Sequence, residues 1–71
     1  MLNGTLKSWK EDKGYGFIAP DDPNRQDVFV HISSFQKGNI RNVPRPGDRF
    51  SFDEGEGRNG KPQAINLRVT L

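Results

Sequence analysis

Cysteine is absent from this chain of 71 residues, which excludes disulfide staples and thiolate metal sites and favours a reducing compartment. His31 is the single histidine, with no second imidazole or thiol to join it around a metal ion. No segment repeats apolar residues at helical spacing over a dozen positions, and eight glycines and five prolines cut the sequence into short pieces. No run approaches the roughly 20 apolar residues that span a bilayer. The opening Met1-Leu2-Asn3-Gly4 lacks the basic start and apolar stretch of a signal peptide. A soluble, cytoplasmic protein is the expectation. Excess charge is also small. Eleven Lys and Arg against nine Asp and Glu leave +2, far from the dense basic stripe of a protein that holds DNA by charge alone. With no glycine-rich phosphate loop and no carboxylate pair facing a pocket, neither an enzyme nor a cofactor or small-molecule site is expected.

What remains is one small domain, residues 1–71, with no internal repeat and no linker. A chain this short buries only about 60% of its unfolded surface, so its stability should be marginal. Its segments read as short strands. Leu2 to Lys10 is the first, with Leu6 inward and Thr5, Lys7 and Trp9 outward. Lys13 to Ile18 follows a polar turn, and Val28 to Ile32 follows a loop rich in Asp, Pro and Asn. Ser33-Ser34-Phe35 suits a single helical turn with Ser33 as its cap. Prolines 44 and 46 forbid a central strand in the connection from Gln36 to Pro46, whose Lys37, Arg41 and Arg45 make it the most basic loop. Asp48 to Glu54 alternates again. An Asn59-Gly60 turn signal closes the hairpin loop before Gln63 to Val69, which shows Ile65, Leu67 and Val69 on one face. Five short antiparallel strands without helices point to an all-β fold, a small closed or partly open five-stranded barrel, and closure would remove exposed edges. The expected core is Leu6, Ile18, Val28, Val30, Ile32, Val43, Phe50, Ile65 and Leu67, with Phe52 partly buried.

The second and third strands carry the functional signal. Alternation sends Lys13, Tyr15 and Phe17 to one face, opposite Gly14, Gly16 and Ile18; it sends Phe29 and His31 to one face, opposite Val28, Val30 and Ile32. Paired, the two strands would hold Tyr15, Phe17, Phe29 and His31 as a patch of rings in water. A small soluble domain rarely exposes such a patch without a use for it. Rings beside lysines are what stacking on unpaired bases requires.

At these residues the chain resembles the cold-shock domain. Lys13-Gly14-Tyr15-Gly16-Phe17-Ile18 and Val28-Phe29-Val30-His31-Ile32 are similar to that family's two ribonucleoprotein motifs, and the likeness runs from Gly4-Thr5-Leu6-Lys7 to Pro62-Gln63-Ala64-Ile65-Asn66. The RNA-recognition motif also has a lysine-glycine-aromatic-glycine-phenylalanine segment, but it needs two helices and an earlier partner motif. The resemblance implies an oligonucleotide-binding (OB-fold) barrel that holds single-stranded RNA or DNA, as a monomer, with little sequence preference. It further implies that Tyr15, Phe17, Phe29 and His31 are stacking platforms. Lys7 and Lys13 would meet phosphates or base edges, and Lys61 and Gln63 would contact the strand from the last hairpin. Glycines 14 and 16 would leave room for a neighbouring strand.

The chain departs from the family's pattern in three places. Ser8 stands where a tryptophan is usual, with Trp9 in place of the phenylalanine beside it. Ile32 replaces a phenylalanine that often follows the motif histidine, and Ile40 stands where an aromatic is common. Strict alternation places Trp9 outward beside Lys7, where it replaces the missing stacker, unless a bulge tucks it away. The reading from another class is an accessory or protein-interaction domain of a longer polypeptide, such as a membrane-anchored one.

Overall fold

A computed structural model describes residues 1–38, 40, 44–57 and 60–70. Five strands and one short helix follow each other along the chain: β1 (Leu2–Lys10), β2 (Tyr15–Pro20), β3 (Val28–His31), α1 (Ile32–Lys37), β4 (Arg49–Glu56) and β5 (Pro62–Val69). They close into a barrel in the order β1-β2-β3-β5-β4. Every strand pairing is antiparallel except the one that completes the circle, where β3 meets β5 in parallel at Phe29 and Gln63. The all-β barrel expected from the sequence is therefore correct in class, while its pairing is mixed.

The core follows from alternation wherever alternation holds. Leu6, Ile18, Val28, Val30, Phe50, Phe52 and Leu67 are all buried, Phe52 completely. Two residues join them that the strand pattern did not mark. Phe35 comes from α1 and Ala64 from β5. The helix is anchored to β5 by the Ser34 hydroxyl, which donates to the Ala64 carbonyl at 3.1 Å inside the packed region. Its cap is His31 rather than Ser33: the imidazole Nδ1 accepts from the Ser33 backbone N–H at 3.1 Å.

Ile32 and Ile65, expected inside, are exposed. Ile32 lies in α1, because β3 ends at His31 and the two-residue period ends with it. Ile65 loses its place to a bulge. Ser51 pairs with Arg68 and Asp53 with Ile65, so Asn66 and Leu67 together oppose Phe52 alone. Asn66 takes the left-handed conformation, φ 53°, which asparagine tolerates better than most residues. The extra residue reverses the phase of β5, turning Leu67 inward and leaving Ile65 outside. Val69, at the end of β5, is likewise exposed. The expected core residue Val43, the loop cation Arg41 and Asn59 of the expected turn lie outside the described residues.

Candidate nucleic-acid interface

The ring face is built by the register between β2 and β3. Tyr15 pairs with His31 and Phe17 with Phe29, and directly opposed residues of an antiparallel pair project from the same face. Gly16 opposite Val30 and Ile18 opposite Val28 hold the other face against the core. The rings touch without stacking on one another. Phe17 stands edge-on to Tyr15 (centroids 6.3 Å apart, 89°) and to Phe29 (6.0 Å, 74°), and Tyr15 tilts against Phe29 at 5.4 Å. Phe17 is 37% exposed, and Tyr15, Phe29 and His31 are half-buried. No other segment among the described residues seals them in; an open groove of about 540 Å³ runs beside Phe17, Phe29 and His31 to Lys61 and Gln63.

That groove unites residues far apart in sequence. The parallel pairing of β3 with β5 sets Gln63 next to Phe29, and Lys61 stands exposed just before β5. The His31 imidazole is held in place by its cap bond to Ser33. Because Nδ1 accepts there, the proton of the neutral ring sits on Nε2.

Trp9 departs from its expected place. β1 pairs Leu6 with Ile18 but Ser8 with Phe17, so Lys7 is an extra residue and the alternation shifts by one. The bulge turns Trp9 away from the ring face and onto the core, where its indole stands edge-on to Phe35 at 5.2 Å. Ser8, paired with Phe17, occupies the ring face instead. Gly16 is required by this arrangement, since a Cβ there would lie 2.8 Å from Trp9 Cε3 and collide with the Ser8 carbonyl oxygen. Gly14 has a different reason from the expected strand clearance: it ends the β1–β2 turn at φ 72°.

The cations divide into two groups. Lys7 Nζ is 3.1 Å from Asp27 Oδ2, and Arg25 pairs with Glu54. Arg49 clasps Asp21 with two bonds, 2.6 and 2.7 Å, and this hydrogen bonding holds the Asp21 carboxyl below the ordinary carboxylate value. Among the described residues, Lys13 and Lys61 have no such partner. Lys61 thus lines the ring groove without an ion pair among the described residues, whereas Lys13, expected in the ring-bearing strand, lies in the turn before β2 begins at Tyr15.

A family described as the "'Cold-shock' DNA-binding domain" matches residues 2–70. Among curated relatives, cold shock protein 1 of Lactiplantibacillus plantarum is 45% identical over 94% of this chain and 96% of its own length. The major cold shock proteins of Micrococcus luteus and of Streptococcus pyogenes serotype M1 are 43% and 40% identical, covering 94% of this chain and 96% and 94% of their own lengths.

Proposed function

The chain belongs to the cold-shock domain family, and from that premise we propose that the face carrying Tyr15, Phe17, Phe29 and His31 is where it holds unpaired bases. A cold-shock domain binds single-stranded nucleic acid and acts in the manner of an RNA chaperone. In this chain each of the four rings offers a surface to one base, and a stacked base contributes roughly 1–3 kcal/mol. Lys13 and Lys61 meet phosphates, and Gln63 meets base edges or sugar. Lys7 contributes only by releasing Asp27. Trp9 holds the sheet from behind. The observation that carries this reading is the pairing of Phe17 with Phe29 on a face left open.

The action is mass action. A protein that binds the open strand and not the duplex shifts a hairpin toward its open form by the difference in affinity. The reading needs no hydrolysis, no cofactor and no small-molecule substrate. The domain, residues 1–71, works as a cytoplasmic monomer. No helix among the described residues is long and apolar enough to cross a membrane. An accessory role in a longer polypeptide has no specific observation in its favour.

The test is a fluorescence titration with oligothymidine, oligouridine and a duplex. Binding of both single strands but not of the duplex is expected, with a shallow salt slope because few phosphates are neutralised. Tight duplex binding with a steep slope would remove stacking as the basis of recognition.

A further inference from the structure

A second groove, of about 530 Å³, opens between α1 and β5. It begins where the first one ends, for Ser33 and Gln63 line both. Lys37 from α1 and Arg68 from β5 stand over it, and among the described residues neither forms an ion pair. Among the described residues its one lining carboxylate is Asp53, which accepts from the Asn66 amide at 3.0 Å and lies 3.8 Å from the Met1 ammonium, also in the lining. With Lys7, Arg25 and Arg49 neutralised elsewhere, this leaves a positive, polar channel without rings, continuous with the stacking face. We infer that a single strand longer than the four-ring platform continues past Ser33 and Gln63 into this groove, where Lys37 and Arg68 take its phosphates.

The inference rests on the stacking reading of the first groove. The chemistry of the second suits the sugar-phosphate backbone rather than bases, because it offers charge and hydroxyls but no ring on which a base could stack. It therefore adds affinity by length and not by sequence. The Asn66 bulge creates the site. By reversing the phase of β5 it seats Leu67 in the core and leaves Asn66 and Arg68 at the surface.

The experiment compares the intact chain with a Lys37→Ala/Arg68→Ala double variant on oligothymidines of about four and about twelve nucleotides, within the range of site sizes for this fold. Both side chains are exposed, and matching thermal melts establish that the variant is folded. On the long strand the variant should bind roughly tenfold more weakly at low salt. Its log–log salt slope should become shallower by about 1.4, at about 0.7 for each phosphate that is no longer neutralised. On the short strand the two proteins should agree within about twofold, a control for weakening of the general field. Comparing variant with parent at each length cancels the extra binding registers of a longer strand. Equal weakening on both strands, or none on either, would overturn the second groove while leaving the stacking face intact. Failure of the parent to bind the short strand would overturn the stacking face itself, and this inference with it.

Discussion

Trp9 stands edge-on to Phe35, ring centroids 5.2 Å apart and planes at 85°. The pair joins β1 to α1 on the core side of the sheet, opposite the face that carries Tyr15, Phe17, Phe29 and His31. It makes Trp9 a structural residue in a position where alternation alone predicts a binding one.

Trp9→Ala should therefore cost stability first. Because the indole is only half-buried, a loss of about 2–3 kcal/mol is expected, less than the 3–5 of a fully buried ring. Urea unfolding followed by circular dichroism measures it. Affinity of the folded variant for a short oligothymidine should change by less than about twofold. A large loss of affinity at unchanged stability would return Trp9 to the interface.

Phe17→Ala and Phe29→Ala should show the opposite balance. Each removes one stacking surface, so affinity should fall by roughly 1–3 kcal/mol, about five- to 150-fold. The stability cost of Phe17→Ala should stay under about 1 kcal/mol, since its ring is more than a third exposed. Comparable losses of stability and affinity would place these rings in the core.

Ser8→Trp tests the register directly. Ser8 pairs with Phe17 and shares its face, so an indole there adds a stacking surface to the platform. Affinity for oligothymidine should rise by roughly 1–3 kcal/mol. An unchanged affinity in a folded variant would mean that the Lys7 bulge does not set the phase described.

Gly16→Ala should be among the most damaging single changes. Its Cβ meets backbone at Ser8 and the Trp9 ring, and overpacking of this kind costs about 1–3 kcal/mol. Thermal melting should show the loss. Near-wild-type melting would mean β1 and β2 can separate enough to admit a methyl group.

The Asp21–Arg49 pair should appear in the acid limb of the stability profile. Arg49 lowers the Asp21 pKa in the folded state, so the pair's contribution is present above the ordinary carboxylate range. It fades as pH falls through the lowered value. The stability difference between the parent and Asp21→Asn should be constant near neutrality and shrink toward zero in acid. Because the pair is exposed, the effect should be small and weaken further with salt. A difference that grows in acid would contradict the sign.

Strand identity is legible in the sequence because alternation is local. Each of Tyr15, Phe17, Phe29 and His31 has its face set by its immediate neighbours, and pairing of β2 with β3 needs only their proximity. Asn66 inside a β-like run is the one local signal of a bulge, since asparagine favours the left-handed region. The helix cap escapes a sequence reading because His31 also ends a strand, and serine is the commoner cap. Tertiary structure decided the rest. Whether Lys7 is an extra residue depends on how β1 aligns with β2, a choice made by which β2 residue faces each β1 residue and not by the neighbours of Lys7 in the chain. The same shift moves Trp9 inward and Ser8 outward, because a one-residue slip exchanges the two faces of a strand. Charge follows the same division. Composition sets the total at +2, but only the fold pairs Lys7 with Asp27 and Arg49 with Asp21 while leaving Lys37 and Arg68 without an ion pair among the described residues. Such pairings depend on distance in space, which a linear order of residues does not contain.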